Sequence, residues 1–239
     1  MNSMKAHSAT KRPLQASKMS SKQEKPALLI DGYTLTTQEL YNLSFGETNL
    51  ALSPEAIQRV NDGRRVVDLI VKSGEVVYGI NTGFGLFSNV TVSADKLGEL
   101  QVNLIRSHSS GVGEALTVPR TRMLLALRIN VLAKGHSGIS LENLEKMIKA
   151  FNLGLLPAVP QKGTVGASGD LAPLSHLALG LIGEGKMWDV KAEGGPVLGE
   201  AEEILAREGL DPIILGAKEG LAMINGTQVR DETRSLSAS

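Results

Sequence analysis

The sequence predicts a mainly α-helical fold with a few short strands, and three observations carry that expectation. Apolar residues recur at helical spacing in six separate stretches, several of them opened by Ser or Pro. Alternating β-branched runs of the kind a half-buried strand needs are scarce. The composition also points to an aliphatic core: 42% of the 239 residues are hydrophobic, only 3% are aromatic, and 26 glycines break up the apolar runs.

The elements follow in order. Residues 27–30 form a first candidate strand. Ser53-Pro54-Glu55 then supplies a cap residue, a proline at the first helical position and an acid in the first turn. Ile57, Val60, Val67, Ile70 and Val71 keep helical spacing until Gly74. Residues 75–78 read as a second strand. Ser93 opens the next helix, with Leu97, Leu100, Leu104 and His108 near one face. Pro119 begins a third, apolar on most sides from Met123 to Leu132 and so expected to be buried, with Gly135 able to end it. Ser140 starts a fourth, carrying Leu144, Met147, Ile148 and Phe151. Residues 171–182 make a fifth, 200–208 a shorter charged sixth, and 212–215 a last candidate strand.

Composition excludes several classes of function. Lys plus Arg and Asp plus Glu both number 25, so the excess positive charge of a nucleic-acid-binding domain is missing. No apolar run reaches the ~18 residues of a membrane helix. Without cysteine there is no disulfide, thiol nucleophile or Cys-ligated zinc, and the four histidines show no metal-ligand spacing. A soluble, cytoplasmic protein without bound metal is the expectation. Residues 1–26 carry six basic side chains against Glu24 and almost no large apolar ones, which predicts a disordered basic tail. A mitochondrial transit peptide is the alternative, weakened by Lys outnumbering Arg and by the lack of an amphipathic stripe. Residues 27–228 form the body, and 229–239 a divergent polar tail.

The densest glycine stretch, Gly163-Thr164-Val165-Gly166-Ala167-Ser168-Gly169-Asp170, precedes the helix at Leu171. It lacks the lysine of a Walker loop, the spacing of GxGxxG and that of a nucleophile elbow. A glycine loop feeding a helix capped by Asp170 is one reading. Another chemistry fits Ala167-Ser168-Gly169. In a sharply bent backbone the amide nitrogen of Gly169 attacks the carbonyl carbon of Ala167 and closes a five-membered ring. Loss of two waters, one of them from the Ser168 side chain, leaves 4-methylidene-imidazol-5-one. Gly suits the attacking position because no Cβ blocks the bend, and the N-terminus of the following helix would favour attack on this electrophile.

The stretch from Gly163 to Trp188 resembles the signature of the aromatic amino acid ammonia-lyases. YGINTGFG from Tyr78, NLIRSHSSGVG from Asn103 and INGTQ from Ile224 resemble three further blocks of that family, all in its order. Within the family, Ser107-His108 makes the chain most similar to the histidine ammonia-lyases. The resemblance implies the N-terminal portion of an L-aspartase/fumarase-like helical fold, and non-oxidative elimination of ammonia from L-histidine to give trans-urocanate. It implies the methylidene-imidazolone group built from Ala167, Ser168 and Gly169, and a homotetramer. Tyr78 becomes the base that takes the β-proton, a role that needs a site stabilising phenolate; otherwise it is a core aromatic at a strand end. His108 and Asn225 become substrate-binding residues; otherwise they are a satisfied helix histidine and a helix N-cap. Gly79, Gly83 and Gly85 would let the tyrosine loop open and close. His176 is given no catalytic role.

The resemblance stops at Gln228. The family's pattern continues into long helices that form a central bundle and supply a second tyrosine, an arginine and a glutamate to the site. A catalytically inactive truncated form that at most associates with full-length subunits is therefore the alternative expectation. A glycine-loop phosphate binder is a third. Without the bundle, apolar surface on the helices starting at Pro119 and Leu171 is expected to be exposed.

Overall fold

A parallel pair of four-residue strands, β1 (Ala27–Ile30) and β2 (Asn49–Leu52), lies at the start of the computed structural model, which describes residues 25–164 and 169–229. The expected basic tail, apart from its last two residues, and the polar tail beyond Val229 lie outside the described residues. Between the strands runs α1 (Thr37–Leu43), which begins with a capping box. The Glu39 amide donates to the Thr36 hydroxyl, and the Glu39 carboxylate accepts from the Thr36 amide. The chain then forms α2 (Pro54–Ser73), α3 (Leu97–His108), β3 (Val112–Ala115), α4 (Val118–Leu132), α5 (Leu141–Leu153), β4 (Leu156–Pro157), β5 (Pro160–Lys162), α6 (Leu171–Leu181), β6 (Lys186–Asp189), β7 (Val197–Glu200), α7 (Ala201–Arg207) and α8 (Glu219–Ile224). β3 pairs antiparallel with β5, and β4, β6 and β7 form a small antiparallel sheet. The fold is mainly α, as the sequence predicts.

Local signals set the helix ends. The Ser53 hydroxyl accepts from the Ala56 amide at the start of α2, and Gly74 closes that helix at φ 73°. Ser140 caps α5 in the same way, through the Asn143 amide. The core sits on α4. Met123, Leu124, Leu125, Ala126 and Ile129 are all buried, and α5 turns Leu144, Met147 and Phe151 toward them. Buried Arg122 ties this core together. Its Nε donates to the Leu43 carbonyl at 3.0 Å, its Nη1 to that of Phe151 at 3.3 Å, and its guanidinium lies 4.2 Å over the Phe151 ring.

Three expectations need correction. Residues 75–77 are irregular and lead into a turn at 78–80, with no strand, because Asn81 satisfies that backbone locally: its Oδ1 accepts from the Val77 amide and its Nδ2 donates to the Glu75 carbonyl. Residues 212–215 are irregular. They make single bonds to helices instead of a ladder, the Ile213 amide to the Leu181 carbonyl and the Ile214 carbonyl to Asn143 Nδ2. The helices at Pro119 and Leu171 are not exposed either. α1, α5 and β4 cover α4, and α3, α8 and β4 cover α6. The exposed large apolar side chains lie elsewhere, with Leu86 at 99% and Phe87 at 68%.

The two kinds of anchor differ in weight. Phe151→Ala empties a fully buried ring site and should cost about 3–5 kcal/mol. Ser53→Ala removes one cap and should cost about 1 kcal/mol. Denaturant unfolding of both variants checks the ranking.

Candidate functional site

Four sequence blocks converge around α8. The block at 78–85 forms a loop between α2 and α3. Tyr78 is 60% exposed on it and meets Phe84 edge-on, with ring centroids 6.3 Å apart. This is not a core aromatic at a strand end. Beside the loop lies an apolar cavity of about 450 Å³, lined by Phe84, Phe87, Val90 and Leu104 and, from the C-terminal turn of α3, by Ser107 and His108. The Tyr78 loop and His108 therefore share one concave surface.

His108 Nδ1 lies 2.9 Å from the Leu104 carbonyl oxygen and 3.0 Å from Ser107 Oγ; the carbonyl can only accept, which favours the tautomer with the proton on Nδ1. In the neutral ring Nε2 is then the acceptor. Arg106, two residues earlier, forks onto Glu184 just beyond α6, with Nη2 2.6 Å from Oε1 and Nε 3.0 Å from Oε2. This pair is more than a third exposed on both sides, so it contributes register more than stability.

The glycine-loop and INGTQ blocks meet directly. Gly169 has φ 142°, and a Cβ placed on it would lie 3.0 Å from Asn225 Oδ1 and 3.2 Å from the Gly226 carbonyl oxygen. Only glycine fits there, on both backbone and space. The Asp170 amide donates to the Gly226 carbonyl at 2.6 Å. Ala167 and Ser168 lie outside the described residues.

Asp170 corrects one expectation. It occupies the N-cap position of α6, but its fully buried carboxylate makes no cap bond. Oδ1 accepts from the Thr164 hydroxyl at 2.9 Å and Oδ2 from the Val229 amide at 3.0 Å, so the side chain ties the two blocks together. Asn225 stands at the C-cap of α8, not at an N-cap, and its side chain is exposed.

The two halves of the site are linked through α8. A Cβ on Gly79 would lie 3.0 Å from Leu221 Cδ2, and the Leu221 amide donates to Gln101 Oε1 of α3 at 3.1 Å. Among the described residues no hydrogen bond joins Tyr78 or His108 to Gly169 or Asn225, and no group of three or more His, Cys, Asp or Glu could hold a metal ion. No described helix is long and apolar enough to cross a membrane.

The model of the aromatic amino acid lyase family matches residues 35–231. The chain belongs to the aromatic amino acid lyase family. It is 60% identical over 200 residues to the histidine ammonia-lyase of Homo sapiens, which covers 84% of the chain and 30% of that protein. The crystal structure of histidine ammonia-lyase from Trypanosoma cruzi superposes with a TM-score of 0.80 at 47% identity, over 88% of this chain and 40% of that one. Tyrosine aminomutase from Streptomyces globisporus superposes at 0.79 with 38% identity, over 88% and 38%. The chain thus spans between 30% and 40% of the length of these relatives.

Sequence reasoning gave no role to two residues beside the candidate site. Phe84 faces Tyr78, and its place in a block quoted for its glycines hid it. His176, on α6, is half-buried, and its Nε2 accepts the Gly111 amide at 3.1 Å, holding the turn that follows His108. Burial lowers the His176 pKa. The unfolded chain therefore takes up this proton first as pH falls. The stability linked to His176 is whole above its unfolded value of about 6.5 and is lost as pH falls through the lower folded value. His176→Gln retains an acceptor that does not titrate. Thermal unfolding between pH 7 and about 5 should fall less steeply in this variant than in the parent.

Proposed function

We propose that the chain carries the electrophile loop, the base and two substrate-binding residues of a histidine ammonia-lyase, acting on L-histidine to release ammonia and trans-urocanate. The observation that carries the reading is the juxtaposition of Gly169 and Asn225. Two blocks distant in sequence meet where the backbone has φ 142° and no room for a side chain. The residue types fit a methylidene-imidazolone built from Ala167, Ser168 and Gly169, with the attacking amide on Gly169, where a Cβ would crowd Asn225 and the Gly226 carbonyl. Once formed, that group supplies the electrophile that makes the substrate's amino group a better leaving group.

The chain's own residues divide the remaining work. Tyr78 is exposed against Phe84, a residue of the cavity wall, and takes the β-proton, and the Phe84 edge against its ring limits where the hydroxyl can swing. His108, protonated at Nδ1 through the Leu104 carbonyl, offers Nε2 as an acceptor for an imidazole N–H of the substrate. Asn225, with an exposed amide beside Gly169, holds the amino-acid end. The apolar cavity walls exclude water from the imidazole side. Higher identity to the histidine ammonia-lyases than to the aminomutases favours this substrate. Phe87 and Val90, exposed on the cavity rim next to Leu86, suit closure by further subunits, four in all on the family's pattern, in the cytoplasm.

The test is the intact mass of the purified chain, with peptide mapping across 161–186. The expected mass is two waters below the sequence value, with the loss located at 167–169 and abolished by Ser168→Ala. Tyr78→Phe should keep the loss while lowering ammonia release from L-histidine by about 10²–10⁴-fold. An unmodified parent mass would overturn the reading.

A further inference from the structure

The core holds a second buried arginine, and its bonding differs from that of Arg122. Arg128 lies on α4 and is 1% exposed. Its Nη1 donates to Gln228 Oε1 at 2.8 Å, its Nη2 donates to the Ala222 carbonyl, and its Nε is buried without a partner. Arg122 bonds two scaffold carbonyls and stacks on a ring. Both acceptors of Arg128 belong instead to the 222–228 segment, one on each side of Asn225. No carboxylate among the described residues pairs with it, although burial lowers its pKa only to about 10 and leaves it charged at neutral pH. Gly226 completes the fit, since a Cβ there would overlap both Arg128 Nη1 and Gln228 Oε1.

The same segment holds the end of the electrophile loop. The Gly226 carbonyl accepts from the Asp170 amide, and the Val229 amide donates to the Asp170 carboxylate. A path of hydrogen bonds thus runs from the α4 guanidinium, through the segment that carries Asn225, to the residue following Gly169. We propose that Arg128 is a positioning residue, whose guanidinium fixes Asn225 and the Gly169 end of the loop against one another. This rests on the reading of 167–169 as the electrophile loop. It adds that bending of the loop depends on a cation from a different helix. Arg128 touches neither substrate nor the reacting atoms.

Hydrogen–deuterium exchange of the full chain tests the clamp separately from the chemistry. In Arg128→Met and Arg128→Lys, peptides covering 169–174 and 222–229 should exchange at least tenfold faster, while α5 and the β4–β6–β7 sheet keep parental protection. Gln228→Ala reaches the same bond from the other partner without disturbing α4, and should give a smaller change in the same peptides. Formation of the two-water mass loss, followed after expression, should slow in parallel. Unchanged exchange in those peptides would overturn the proposal. So would uniform loss of protection in all three variants, which marks a merely structural arginine. If the clamp loosens as expected while the parent itself shows no mass loss, the electrophile reading fails and the positioning role of Arg128 for Asn225 stands.

Discussion

A six-residue helix is too short to hold itself in water, and α8 is the element on which the site depends. Its N-cap, Lys218, is in the left-handed region at φ 68°, the one non-glycine among the described residues with positive φ, so the helix also starts from an unfavourable backbone. Neighbours supply what it lacks. Buried Glu219 in its first turn accepts from the Ser140 amide and Asn143 Nδ2 of α5 and from the Gly216 amide. Gln101 of α3 takes the Leu221 amide, and Arg128 of α4 takes the Ala222 carbonyl. A carboxylate at the N-terminal end and a guanidinium at the C-terminal end both complement the helix dipole. The position of Asn225 is therefore a joint property of α3, α4 and α5.

The other half of the site is held differently. The loop from Tyr78 to Val92 rests on a small separate apolar cluster of Ile80 with Val67, Leu97 and Ala217. Asn81 ties its start to the preceding turn, accepting from the Val77 amide and donating to the Glu75 carbonyl, and a bridge between Thr82 and Thr91 closes it. Few of its interactions reach the main core, so it belongs to the part of the molecule that opens at least cost. That arrangement suits the role proposed for Tyr78, a base whose loop admits substrate and then closes over it. It contrasts with the surroundings of Gly169 and Asn225, where charge-assisted bonds hold Ala222, Gln228 and Val229.

The sequence made this division partly legible. Helix ends written as Ser-Pro-Glu, or as an apolar run stopping at glycine, are local signals, and α2, α4 and α5 appear where those signals stand. The Thr36–Glu39 capping box was equally local and was passed over, so α1 was missed. The false strand at 75–78 failed for a different reason. Two valines beside a tyrosine carry β propensity, but one downstream asparagine took the backbone bonds. The four blocks singled out Tyr78, His108, Gly169 and Asn225 as candidates, while their supports stayed invisible. Asp170 read as a cap, although its carboxylate serves Thr164 and Val229, contacts only the fold creates. Arg128 did leave a trace, as the one cation between Met123 and Leu132, which composition counts but does not interpret.

That trace bears on why the core keeps charges at all. Replacing a buried ionic group with apolar side chains of similar volume is often neutral or stabilising, so stability alone is a weak reason for Arg128 and Glu219. Packing, however, is non-directional, and Ala222, Met223 and Ile224 are buried on successive sides of α8. An apolar turn buried all round can rotate about its axis with little change in the area it hides. Such a rotation would carry Asn225 away from Gly169 at almost no hydrophobic cost. Hydrogen bonds to Glu219 at one end and Arg128 at the other are directional and allow one rotation only. The buried charges thus select the single setting of α8 in which two distant blocks of sequence form one site.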